Sequence, residues 1–213
     1  MKKTVFLLLS LVCAVAACAQ KTLSESEKAA FLQRLKTVSA TATSIESRFV
    51  ETRHVEALQS DVKASGRFYY AAPDKMALHY DDPAGDLLCV NGEDLLMVNG
   101  GRRMQTNVRQ NPSARGLQRL LLACMRGDIA AMGFGRKTGQ ITAVETDDHY
   151  QLTLVWENSA SNPYRSVVLC YQKADLSLIS LRMNEKNGNF AVYMFSGTRT
   201  GQPVDAARFD IRH

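Results

Sequence analysis

The sequence predicts an α+β fold: a mostly antiparallel sheet, curled into an unclosed barrel of about eleven strands, with helices covering its concave side. Three observations predict it. Apolar and polar residues alternate over most of the chain, at the period of two that marks half-buried strands. Asn-Gly pairs recur between these runs, and only two stretches switch to a helical period. The strands follow one another without βαβ units. No repeat period, low-complexity run or Pro/Gly/Ser linker divides the chain, so residues 20–213 are expected to form one domain.

Residues 1–19 stand apart from that fold. Lys2 and Lys3 precede an apolar run over 5–15, and Ala17-Cys18-Ala19 offers a small-residue cleavage site before Gln20, which together read as a secretory signal. A run of about eleven apolar residues falls short of the ~20 a membrane-spanning helix requires. The mature chain is expected to be exported and to carry no transmembrane helix. Val15-Ala16-Ala17-Cys18 supports a second reading, in which Cys18 is acylated and anchors the chain to a membrane.

Composition bounds the rest. The chain has 213 residues, 46% of them hydrophobic, which suits a domain with a substantial core. The formal charge is +5, two units of it from Lys2 and Lys3, and no dense basic run argues for nucleic acid. Past the leader, Cys89, Cys124 and Cys170 remain, an odd number without metal spacing. Each has apolar neighbours and reads as a buried small hydrophobe. One disulfide among them stays open in an exported chain.

The first helix is predicted over 26–39. Ser24 and Glu27 form a capping box, and Phe31, Leu35 and Val38 repeat on one narrow face. The period then changes to two. Ile45, Ser47 and Phe49 share a face, with Glu46, Arg48 and Thr52 opposite. Val62, Ala64, Gly66, Phe68 and Tyr70 continue the pattern until Pro73, which lacks the N–H a ladder needs. Met76, Leu78 and Tyr80 alternate in the next strand, up to Pro83. Short strands over 86–90, 94–98 and 103–108 are joined at Asn91-Gly92 and Asn99-Gly100, where both central residues must adopt positive φ.

A second helix is predicted over 112–126. Leu117, Leu120, Leu121, Leu122, Cys124 and Met125 give it a broad apolar face that must be covered by sheet, or by sheet plus ligand. A break follows at Gly133-Phe134-Gly135. Strands are then expected over 140–144, 150–156, 166–171, 176–183 and 189–195, with a final turn over 203–209.

Catalytic chemistry is not expected. His54, His79, His149 and His213 are scattered, Asp147 and Asp148 fall at a hairpin tip, and the Gly133, Gly135 and Gly139 spacing follows no strand, so neither a metal site nor a phosphate loop is indicated. What remains is an apolar cavity. Strand parity and the breadth of the second helix place Phe49, Phe68, Tyr70, Met76 and Leu78 on the concave face, opposed by Leu121 and Met125. Methionines such as Met76, Met97, Met125 and Met183 suit an irregular apolar guest, and equally an ordinary core.

Two segments carry a family resemblance. Gly66-Arg67-Phe68-Tyr69-Tyr70-Ala71-Ala72-Pro73, with the alternating run from Met76 to Tyr80 and then Pro83, resembles the outer-membrane lipoprotein carrier family. Pro203-Val204-Asp205-Ala206-Ala207-Arg208-Phe209 is similar to that family's carboxyl-terminal segment. The order of export signal, helix, strands, helix and strands agrees as well. The resemblance implies an unclosed eleven-strand barrel with a helical lid over an apolar cavity, and no cofactor. It also implies a periplasmic carrier of acylated lipoproteins. Such a carrier works as a monomer between an inner-membrane ABC-type releasing complex and an outer-membrane acceptor or the outer membrane itself. A membrane-anchored acceptor of the same fold, with Cys18 lipidated, and a lipid-sensing regulatory module are the alternatives. One position departs from the family: where its carriers place an Arg before the strand-ending Pro to hold the lid, this chain has Ala72, and Arg67 lies elsewhere on the strand.

Overall fold

Alternating strands without crossover helices leave one economical solution, a meander that curls until its apolar face is covered. The computed structural model describes residues 20–129, 139–156 and 163–212. The leader with Cys18, the Gly133-Phe134-Gly135 break and His213 lie outside the described residues.

Two meanders build the sheet. A short strand, β1 (Lys21–Thr22), precedes both; the first comprises β2 (Ser44–Val55), β3 (Ser60–Ala71), β4 (Lys75–Asp82), β5 (Leu87–Asn91), β6 (Asp94–Asn99) and β7 (Arg102–Asn107). The second comprises β8 (Gly139–Glu145), β9 (His149–Trp156), β10 (Tyr164–Gln172), β11 (Leu178–Glu185) and β12 (Phe190–Thr200). Every pairing is antiparallel, in the order β1-β8-β9-β10-β11-β12-β2-β3-β4-β5-β6-β7, and the edges β1 and β7 do not meet. The barrel is therefore unclosed. The sequence predicts eleven of these twelve strands; the two-residue β1 is too short to show a period of its own. The strand expected from Leu176 begins at Leu178, because Leu176 adopts a left-handed φ of 57°.

Two helices flank the concave side. α1 (Glu25–Thr41) begins with the predicted capping box, in which the Ser24 backbone N–H donates to the Glu27 carboxylate at 2.9 Å. It buries Phe31 and Leu35, with the Phe31 ring 4.4 Å from that of Tyr150. α2 (Pro112–Arg126) is capped by Asn111, starts on a Pro and ends at Gly127 in the left-handed conformation. Gly127 is also where the helices touch: a Cβ there would stand 2.8 Å from the Leu35 carbonyl oxygen. Lys36 and Asp128 pair at 3.1 Å beside that contact.

The convex face carries a smaller core. Tyr69, Ala77, Cys89 and Leu96 project outward from β3, β4, β5 and β6 and are covered by Phe209 and Ile211 of the carboxyl-terminal segment. The Arg208 guanidinium lies 5.1 Å from the Tyr69 ring centre, and the Arg208 carbonyl is 2.8 Å from His79 Nε2. The two segments that carry the sequence resemblance thus pack against each other.

Candidate functional site

Register fixes which side chains face inward. Phe49 is paired with Gly66 and Phe195, Phe68 with Leu78, Tyr70 with Met76, and Leu88 with Met97. Because side chains alternate across a strand, this one parity carries a continuous apolar layer from β11 through β12, β2, β3, β4 and β5 to β6. α2 lies against that layer, burying Leu120, Leu121, Leu122, Cys124 and Met125 in the same core. Gly66 permits the close fit of β3 on β4: a Cβ there would come within 2.0 Å of the His79 carbonyl oxygen.

The sheet and α2 do not fill the space between them. An inner cavity of about 330 Å³ is lined by Phe68, Met76, Leu78, Leu121 and Met125, with Leu88, Met97, Leu117, Leu181 and Met183 completing its apolar wall. A second space of about 220 Å³ opens beneath the carboxyl-terminal end of α1, between Val38, Ile45, Leu176 and Leu178. Phe68, Met125 and Phe195 line both, so the two are neighbours along one trough. Their combined wall follows β2 from Ile45 to Arg53, about 26 Å at the ~3.3 Å rise of a strand.

Five of the seven residues expected to line the cavity, Phe68, Met76, Leu78, Leu121 and Met125, meet in the inner cavity. Phe49 and Tyr70 share their parity and are buried, but line neither of these two spaces. Phe49 lies beneath the rings of Tyr80 and Tyr193, whose centres are 5.0 and 6.2 Å away.

A charged cluster interrupts the apolar wall. Glu51, only 1% exposed, accepts hydrogen bonds from the Tyr80 hydroxyl at 2.7 Å, the Tyr193 hydroxyl at 3.0 Å, and Arg53 Nη2 and Nε at 2.7 and 3.2 Å. Burial first, and then the neighbouring Tyr193 and Glu51, hold the Tyr80 hydroxyl far above its ordinary value. Burial followed by the Glu51 charge does the same for Tyr193, so both phenols stay protonated as donors. Sequence reasoning missed this cluster. Extending the parity of Ile45, Ser47 and Phe49 by four residues would have put Glu51 and Arg53 on the concave face; nothing local indicates the tyrosines that satisfy them.

Cys124 lines the space under α1. Cys89, Cys124 and Cys170, the cysteines among the described residues, are free. Burial pushes the Cys124 thiol up to about 12, and burial with the nearby Asp210 charge pushes Cys89 up to about 11. Among the described residues, no group of three or more His, Cys, Asp or Glu side chains could hold a metal ion. No described helix is long and apolar enough to cross a membrane.

A curled antiparallel sheet around an internal apolar trough is the architecture of a binding module for apolar guests. The chain belongs to the LolA family: the family model described as outer membrane lipoprotein carrier protein LolA matches residues 40–212. The match leaves most of α1 outside its span. No curated protein matches the chain. Among solved structures, the chain is similar to a LolA superfamily protein of Nitrosomonas europaea, at 12% identity over 85% of this chain and 96% of that one, with a TM-score of 0.42. It is also similar to the Pseudomonas aeruginosa MucA/MucB complex, at 14% identity over 85% of this chain and 59% of that one, with a TM-score of 0.50. The Mycobacterium tuberculosis lipoprotein LppX matches at 13% identity over 85% of this chain and all of its own, with a TM-score of 0.44. At such identities the likeness concerns the fold alone.

Proposed function

We propose that the protein is a periplasmic carrier that shelters the acyl chains of lipoproteins in its trough and delivers them to the outer membrane. Family membership supports lipid or lipoprotein binding, and one observation carries the reading furthest: the apolar trough between the concave sheet and α2. The energetics explain the need for it. At ~0.8 kcal/mol per CH₂, exposing one chain of roughly sixteen carbons to water costs on the order of 12 kcal/mol. A protein that moves such cargo across an aqueous gap must bury the chains.

In this reading Phe68, Met76, Leu78, Leu121 and Met125 touch the chains, and Phe49 and Tyr70 support that wall from beneath. α1 serves as the lid. With Ala72 exposed and lacking a long side chain, the lid is held instead by the Lys36–Asp128 pair and by Lys28 Nζ, which donates to the Ile141 carbonyl at 2.9 Å. An ABC-type releasing complex would load the carrier, and an outer-membrane acceptor or the membrane itself would unload it.

A photo-crosslinking residue at Leu121 tests the reading. Incubated with a purified triacylated lipoprotein, it should capture the acylated form and leave a form with its acylated Cys changed to Ser uncaptured. Equal capture of both forms would refute acyl recognition. Mass analysis of the mature amino terminus separates the carrier from an anchored acceptor, since only the latter retains a diacylglyceryl group on Cys18.

A further inference from the structure

We infer that Arg53 is a hydrogen-bond donor subsite inside the trough, placed to receive the ester or amide carbonyl at the head of an acyl chain. The inference rests on the acyl-carrying reading above and adds a chemical preference to it.

The cluster is built from distant parts of the chain. Glu51 and Arg53 lie on β2, Tyr80 on β4 and Tyr193 on β12, and the other three converge on the Glu51 carboxylate. Stability alone gives little reason for it, because apolar residues of similar volume commonly replace a buried ion pair without loss. The guanidinium is only partly used. Glu51 Oε1 takes Nε and Nη2, while Nη1 meets no acceptor among the described residues and the side chain remains 45% exposed. Burial of Glu51 therefore fixes Arg53 in one orientation with donors to spare.

Position supplies the second argument. Glu51 and Arg53 line the inner cavity and also an adjoining space of about 190 Å³, bounded by Val62, Ala64, Leu87 and Val98. The donor thus stands between two largely apolar compartments. A chain lying against Met76, Leu78 and Met97 brings the polar atoms at its head to this boundary.

Charge selects the acceptor. Arginine can offer a carboxylate or phosphate either of two paired N–H edges; Glu51 occupies the Nε/Nη2 edge, which leaves the selection between a charged and a neutral acceptor to the local charge. Glu51 also balances the guanidinium charge, and Glu185 lines the same cavity. An anionic head would find no surplus positive charge, whereas a neutral carbonyl needs only the spare N–H.

Calorimetric titration with two ligands tests this: a monoacylglycerol with a lauroyl ester, and the dodecyl ether of glycerol, which lacks the carbonyl. The wild-type protein should bind the ester about tenfold more tightly, as one hydrogen bond from a charged donor allows. Arg53→Met should bind both ligands alike, its ester-to-ether affinity ratio falling from about tenfold to about one. The double variant Glu51→Gln/Arg53→Met, which leaves no unpaired buried charge, should behave as the single variant does, and thermal unfolding checks that each is folded. Equal wild-type affinities would overturn the subsite while leaving the carrier reading intact, as would an ester preference retained by either variant. Tighter binding of laurate than of the ester would overturn the neutral-carbonyl assignment. Binding of neither glycerolipid would overturn the subsite and the acyl-carrying reading together.

Discussion

Truncating Phe49 and, separately, Phe68 to alanine distinguishes the packed floor of the sheet from the wall of the trough. The Phe49 side chain is 1% exposed and lies under two tyrosine rings, outside the two spaces of the trough. Its removal leaves a void that the curled sheet cannot close, and should cost about 3–5 kcal/mol. At ~2–4 °C per kcal/mol for a domain of this size, the melting temperature should fall by about 6–20 °C. Phe68 is nearly as buried, at 3%, but one side of its ring already faces the trough. Fewer contacts are lost there, so Phe68→Ala should cost less, below about 3 kcal/mol. The order reverses for binding. In titrations with a fluorescent acyl probe, Phe68→Ala should change affinity several-fold and Phe49→Ala should leave it nearly unaltered. Equal thermal losses with unchanged probe affinity in both variants would show Phe68 to be ordinary core, and the reasoning would fail.

Three further predictions address the frame around the trough. Gly66→Ala places a methyl against the His79 carbonyl and should lower stability by about 1–3 kcal/mol in urea unfolding; a neutral outcome would contradict the close approach of β3 and β4. His54, held by Asp61 at 2.7 Å and by Glu56, should titrate above 6.5 in an NMR pH series. Because its folded value is raised, its contribution to stability is complete below pH 6.5 and is lost as pH rises through the folded value. His54→Asn should flatten that part of the stability profile, and a measured value at or below 6.5 would refute the assignment. With thiol-labelling at pH 8 and peptide mapping, the half-buried Cys170 should react first, ahead of the buried Cys89 and Cys124, whose thiols are pushed up to about 11 and 12.

Much of the fold was legible because its signals are local. Capping residues at Ser24 and Glu27 and the glycines of the hairpin turns each act within a few residues, and strand parity needs only a short window. That parity also brought Phe68, Met76 and Leu78 to one face. The turns fall where expected but one residue later in register: Asn91 pairs with Asp94 and Asn99 with Arg102, so Gly92-Glu93 and Gly100-Gly101 are the central pairs and neither Asn takes a positive φ. The boundary between lining and support was not legible. Phe49 and Phe68 have the same parity, and only the rings of Tyr80 and Tyr193 cover one of them. The Glu51 cluster was illegible for a related reason: a carboxylate on an apolar strand face is costly until partners 29 and 142 residues away in sequence satisfy it. The role of Gly66 belongs to the same class, since its reason is the backbone of the neighbouring strand.

Native mass spectrometry of the protein isolated without detergent tests the central claim most directly. The account predicts a ladder of masses above the polypeptide that matches bound lipid or acylated lipoprotein, and its loss in a variant whose trough is filled by Leu121→Trp. A wild-type protein that carries no lipid when so isolated, and takes up none from an acylated lipoprotein offered to it, would contradict the account.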